Sequence, residues 1–164
     1  MSDDEVHALY TDPKVKAYVT ATHGEGFGLP IFEAAYNSIP VIAPGWGGQC
    51  DFLYMEEKGK KNSMFADVNF DIGPIQDSAV WEGVLEKDSS WCYPHQGHYK
   101  MRLRQVRKNY DKWKKKAKKL SKYLHKTFDA DTQYKKFVNS IHHESQADKE
   151  IEQMFKEASK GIAS

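Results

Sequence analysis

YVTATHGEGFGLPIFEAAYNSIPVIAPGWGGQCD, residues 18–51, decides how the rest of the chain is read. It has the order strand, glycine loop, helix, strand, glycine loop. Val15 to Thr22 mixes β-branched and aromatic residues with alanine, as a buried parallel strand does. His23-Gly24-Glu25-Gly26-Phe27-Gly28 follows, and its three glycines allow positive φ or close approach to a ligand. Pro30 fits the first turn of a helix whose apolar face is Ile31, Phe32, Ala35 and Tyr36. The helix N-terminus then faces the loop and offers free N–H groups and a positive dipole end to an anion. Asn37 or Ser38 is expected to take the left-handed conformation at the helix end. Pro40 to Pro44 is a short strand that opens into Gly45-Trp46-Gly47-Gly48.

Two carboxylates belong to this unit, Glu25 on the loop and Glu33, expected in the first turn of the helix. Seven residues separate them. A strand-loop-helix corner brings both to one crevice at the C-terminal strand ends, where open α/β sheets bind ligands. For Glu33 the plainer account is an acid favoured by a helix N-terminus.

Glu25-Gly-Phe-Gly-Leu-Pro-Ile-Phe-Glu33-Ala34, then Pro40-Val-Ile-Ala and Gly47-Gly48-x-x-Asp51, resembles the E-x7-E signature of group 1 retaining glycosyltransferases of the GT-B fold. The resemblance implies an α/β fold. It would be a partial Rossmann-like parallel sheet of about three or four strands with flanking helices and a helical C-terminal region. Residues 1–145 would be part of a donor-binding domain and 146–164 an amphipathic helix or tail. The implied activity moves a sugar from a nucleotide-sugar donor to an unidentified acceptor with retention. Glu25 is the implied catalytic-site acid, against the donor sugar hydroxyls. The amides of Gly26, Phe27, Gly28 and Leu29 would line the sugar and diphosphate, and Glu33 would hold the ribose hydroxyls. An ionised carboxylate is an acceptor-only group suited to a vicinal diol. No cofactor is implied beyond the nucleotide-sugar substrate. No metal is implied either.

Three positions depart from that pattern. Ala21-Thr22 stands where the family has Pro-Ser, Ser38 where a glycine ends the helix, and Asp51 where the second loop ends in glutamate. The family's earlier strands, acceptor domain and basic diphosphate-binding pair have no counterpart in these 164 residues. The sequence therefore predicts an open edge on strand Val15–Thr22, or pairing with another copy, another polypeptide or a rearranged segment. The rival reading is a non-catalytic fragment or split-gene subunit that binds nucleotide or a partner chain without turnover. A glycosidase using the carboxylate pair is disfavoured, since its acids work in a complete substrate cleft.

Upstream, Met1 to Asp12 reads as a helix capped by Ser2 with Glu5 three residues on. Its apolar side is Val6, Leu9 and Tyr10. Downstream, Glu56 to Asn62 reads as a solvated loop, Ser63 to Asp67 as a strand and Ile72 to Ile75 as a turn. Val80 to Tyr93 has no clear pattern, although Trp81, Val84 and Leu85 are suited to pack on the core. His95 and His98 make an i, i+3 pair without the further ligands a metal site needs.

Tyr99, Leu103, Val106, Tyr110, Trp113, Ala117, Leu120 and Leu124 form one stripe of a long helix or of two consecutive ones. The remaining faces hold more than half of the chain's 24 lysines and arginines against one acid, Asp111. Such a surface is a solvated face or attracts an anionic membrane. Nucleic acid is disfavoured because the aromatics lie in the apolar stripe. Asp131 or Thr132 is expected to cap a further helix burying Tyr134, Phe137, Val138 and Ile141. His142-His143 closes it, and Ile151, Met154, Phe155 and Ala158 suggest a last amphipathic helix.

With 40% hydrophobic and 13% aromatic residues and a net charge of +1, the composition is globular. Two cysteines, Cys50 and Cys92, make no disulfide framework and point to a reducing compartment. No run approaches about 20 apolar residues, and the start has no signal-peptide pattern. The expected location is cytoplasmic, peripheral at a membrane where the basic helix binds one.

Overall fold

The computed structural model describes residues 2–141. The chain divides into two compact units, Met1–Lys126 and Thr127–Ser164. The fold is mixed α/β with five helices and a small parallel sheet of three strands among the described residues.

Helix α1 (Asp3–Thr11) begins on a capping box. The Glu5 N–H donates to Ser2 Oγ and the Ser2 N–H to Glu5 Oε2. Strand β1 (Tyr18–Val19) is shorter than the expected strand 15–22, because only its centre meets β2 (Val41–Pro44). Between them lies α2 (Leu29–Tyr36), which buries Ile31, Ala34 and Ala35. Ser38 takes the left-handed conformation, with φ 62°. Lys114 Nζ donates to its carbonyl at 2.9 Å.

The third parallel strand is β5 (Ala66–Val68), giving the order β1-β2-β5. All four β2 residues are buried, as a central strand covered on both faces requires. Strand β1 is an edge strand. Ile42, Ala66, Val68 and Val106 form the core on one face, with Ala17, Val19, Leu103 and Trp113 against it.

Three local expectations need correction. The supposed loop 56–62 is a hairpin of β3 (Tyr54–Glu57) and β4 (Lys60–Ser63). It turns on Lys58-Gly59 with φ of 52° and 71°, the double positive φ of a two-residue hairpin turn. Lysine is rare at such a position, which concealed the turn. Ser63 thus ends β4, and the parallel strand starts later, at Ala66. The supposed turn 72–75 lies in β6 (Phe70–Pro74), paired antiparallel with β7 (Ser90–Pro94). Gly73 and Pro74 are tolerated because this is a two-stranded ribbon, where every strand is an edge.

The basic stripe is two helices, α3 (Gln96–Lys108) and α4 (Tyr110–Thr127). They are broken at Asn109, whose carbonyl accepts from the Lys112 and Trp113 N–H groups. In the second unit, α5 (Ala130–Ile141) is capped by Asp129 rather than by Asp131 or Thr132. Asp129 Oδ1 accepts the Thr132 N–H at 3.0 Å. These bonds to Thr132 hold the Asp129 carboxyl below its usual range. Tyr134, Phe137, Val138 and Ile141, expected to be buried, are exposed, and so are Trp81 and Val84 of the first unit, expected on the core. Helical spacing sets which side chains share a face but not what covers it. His142, His143 and the amphipathic pattern at Ile151, Met154, Phe155 and Ala158 lie outside the described residues, as does the tail 146–164.

His98 links α3 to the turn after β5. Its Nδ1 accepts the Asn69 N–H at 2.6 Å, so the ring is held unprotonated at that atom. Loss of solvation, then the Arg102 and His95 charges, depress its pKa against the opposing pull of Asp67. A depressed folded value favours the neutral ring. The contribution is therefore complete above about pH 6.5, the ordinary histidine value, and is lost as pH falls through the range just beneath it. Thermal melts between pH 5 and 8 are expected to fall less steeply on the acid side for His98→Gln than for the parent chain. Parallel curves would contradict this.

Candidate functional site

The two glycine loops leave the C-terminal ends of adjacent parallel strands, and they interlock. Gly48 donates its N–H to the Glu25 carbonyl at 2.9 Å. A Cβ on Gly48 would overlap the Gly26 carbonyl and crowd Phe27 Cα, so only glycine permits this approach. Gly47 has φ 89° and starts the short 3₁₀ turn Gly48–Asp51. The third parallel strand fixes the second loop from the other side. Asp67 on β5 accepts the Gly45 N–H at 3.0 Å and the Tyr54 hydroxyl at 3.2 Å.

The first loop is also tied to β7. His23 and Cys92 bond reciprocally: the Cys92 N–H donates to the His23 carbonyl, and His23 Nδ1 lies 2.7 Å from the Cys92 carbonyl. A carbonyl only accepts, so the imidazole proton sits on Nδ1. The ring stacks on Trp91 at 4.8 Å with planes 9° apart and meets Tyr93 edge-on. Beneath the loop, Phe27, Phe32 and Phe52 form an aromatic cluster with centroids 5.1 to 5.4 Å apart.

Gly28 is the N-cap of α2 in the left-handed conformation, φ 84° and ψ 54°, with no side-chain cap. Leu29 and Ile31 hold first-turn N–H groups that have no acceptor within the helix, while Pro30 has none to offer. Gly26, Phe27 and Leu29 lie exposed on the rim and Gly28 is buried; Leu29 is 58% exposed, Phe27 41% and, across the loop pair, Trp46 39%. These apolar side chains border the free amides.

Glu25 and Glu33 are both half-buried. Glu33 is the fifth residue of α2, and the first turn contains no acid. That corrects the expected first-turn placement and weakens the helix-dipole account of Glu33, since the dipole effect fades beyond one turn. Glu33 lines a concavity of about 220 Å³ with Val6, His7 and Tyr10 of α1 and Asn37. Glu25 is not among its lining residues. The charges of both acids nevertheless reach Tyr18. Burial, then the charges of Glu25 and Glu33, push its phenol up. Burial, then the charge and hydrogen bonding of Glu33, raise Tyr10 to about 12. The Tyr10 hydroxyl donates to the Pro30 carbonyl at 3.1 Å.

Tyr10 and Tyr18 are site residues that the sequence reading did not single out. Tyr10 was noted only as part of an apolar helix side, and its nearness to Glu33 depends on how α1 packs. Gln49 was missed as well. It is fully buried, its Nε2 donates to the Pro44 carbonyl, and its Oε1 has no partner among the described residues. His95 pairs with Asp71 at 2.8 Å, and no group of three or more potential metal ligands occurs among the described residues. No helix among them is long and apolar enough to cross a membrane.

Set against protein-family models, curated proteins and solved structures, the chain has no match.

Proposed function

We propose that this chain forms part of the donor-binding domain, Rossmann-like in the GT-B manner, of a retaining glycosyltransferase. The observation that carries the reading is the interlocked pair of glycine loops at the ends of β1 and β2. Amides are presented there beside Glu25, with Glu33 in the second turn of the helix that the first loop opens into. Glu25 would take the donor sugar hydroxyls and the Gly26–Leu29 amides the diphosphate. Glu33, in its concavity against α1, would hold the ribose diol. Catalysis would rest on positioning and on stabilising the departing diphosphate and the oxocarbenium charge. Calorimetric titration of the full chain with uridine, guanosine and adenosine diphosphates and their hexose conjugates tests this. One nucleotide series is expected to bind, the conjugate more tightly than the diphosphate. No binding in any series would remove the reading.

The open side of β1 favours a second reading, a module that binds nucleotide or a partner chain without turnover. Release of free sugar or nucleoside diphosphate from a bound conjugate separates the two.

A cytoplasmic location against an anionic membrane belongs to the same proposal. Lys112, Lys115, Lys119, Lys122 and Lys126 of α4 alternate at spacings of three and four and are all exposed. At 100° per residue they occupy the face opposite Ala117, Leu120 and Leu124. Lys119 pairs with Glu57 at 2.6 Å. Each lysine near such a surface contributes about 1 kcal/mol. Lys115→Gln with Lys122→Gln is therefore expected to weaken sedimentation with phosphatidylserine-containing vesicles on the order of thirtyfold at low salt. Equal binding to neutral vesicles would contradict the proposal.

A further inference from the structure

Strand β1 has a free side whose backbone geometry is determined. The N–H groups of Tyr18 and Thr20 donate to the Pro40 and Ile42 carbonyls, so they point toward β2. Strand alternation then turns the N–H and C=O groups of Ala17, Val19 and Ala21 away from β2. Among the described residues no strand lies on that side.

Beside this edge the sheet is only partly covered. Helix α3 packs on β5 and β2. Where it leaves the start of β1 uncovered there is a pocket of about 500 Å³. Its floor is apolar, made by Ala17, Ile42, Leu103 and Val106. Its rim is basic, with Lys16, Arg104 and Arg107 all exposed. Tyr110 closes one end, with Lys16 Nζ 5.9 Å from its ring centroid.

Unpaired strand groups, an apolar hollow on one face of the same strand and three cations around it make a composite surface. A β-strand added alongside β1 would satisfy the free N–H and C=O groups. Every second side chain of that strand would fall over the pocket, where the small Ala17 leaves room for a branched apolar one. On that same face, the side chains two residues before and after it would meet Lys16, Arg104 and Arg107 and would be matched by acids. A second copy presenting the same edge would bring these three cations against their own duplicates, which opposes pairing of like edges.

We propose that the open side of β1 and its pocket dock an extended segment of another protein chain, in which a branched apolar residue has an acid two positions away on each side. This inference rests on the second reading above, in which the open side of β1 takes a partner chain, and none of its residues belongs to the glycine loops or the carboxylate pair.

The probe is an acetylated, amidated seven-residue peptide with isoleucine at its centre, glutamate two positions to either side and threonine elsewhere, titrated into the isotope-labelled full chain. Its counterpart replaces every glutamate with lysine. The acidic peptide is expected to shift the amide resonances of Ala17, Val19, Ala21 and Leu103 and to slow hydrogen exchange at Val19 at least tenfold. The lysine peptide is expected to do neither. Arg104→Glu with Arg107→Glu should reverse that preference. Should this variant fold poorly, Arg104→Gln with Arg107→Gln should abolish it. No response to the acidic peptide, an equal response to both peptides, or shifts confined to other surfaces would overturn the proposal. A dimer in sedimentation equilibrium with Val19 already protected would also overturn it, by assigning the edge to a second copy.

Discussion

Glu33→Ala is expected to weaken nucleoside diphosphate binding to the full chain by about ten- to a hundredfold. A hydrogen bond to a charged group contributes about 1.5 to 3 kcal/mol, and about 1.4 kcal/mol is a factor of ten in affinity. Glu33 stands in the second turn of α2, past the reach of the helix dipole, and opens into the concavity against α1. Its removal therefore takes away an acceptor for ribose hydroxyls more than a helix-stabilising charge. Inorganic pyrophosphate, which has no ribose, serves as the internal control, and its affinity is expected to stay within a factor of two or so, since surface changes away from a ligand usually cost less than about 0.5 kcal/mol. Tyr10→Phe is a second control. It removes the hydroxyl beside Glu33 and leaves the carboxylate free to accept from the ligand. Equal losses for nucleotide and pyrophosphate in calorimetry would mean that Glu33 supports the loop and does not touch ribose.

Gly48→Ala is expected to lower the melting temperature by about 10 °C and to abolish whatever the paired loops bind. The added methyl would fall on the Gly26 carbonyl and against Phe27 Cα, which are backbone atoms that cannot rotate aside. Forced overpacking costs about 1 to 3 kcal/mol, and each kcal/mol moves the midpoint of a domain this size by roughly 2 to 4 °C. The loops would have to part, breaking the bond from the Gly48 N–H to the Glu25 carbonyl. Gly26→Ala is the matched comparison, because a Cβ there meets nothing within 4 Å. Its melt is expected to move by no more than about 2 °C. If both variants melt together, the close approach of the loops does not hold the corner.

Residues with strong local preferences were legible in the chain. Ser2 and Glu5 form the capping box, Pro30 lies inside the first turn of α2, and Ser38 takes the left-handed conformation. The spacing from Tyr99 to Leu124 predicted one stripe across α3 and α4. The hairpin at Lys58-Gly59 escaped because its turn uses a lysine at positive φ, and β6 escaped because Gly73 and Pro74 read as punctuation. Asp129 caps α5 because the cap is set by which carboxylate reaches the Thr132 N–H, a matter of about one turn of backbone.

By itself the sequence determined the run from α1 to β2, both glycine loops and the positions of the two acids along the chain, because each depends on neighbours within a few residues. The tertiary structure alone decided that Gly48 locks onto the Glu25 carbonyl, that Tyr10 comes up beside Glu33 and that His23 is clasped by Cys92. Among the described residues it also left the far side of β1 unpaired. Those features come from contacts between residues 23 to 69 positions apart or from a strand's missing neighbour. Local preference specifies elements, whereas packing of distant segments specifies which atoms meet.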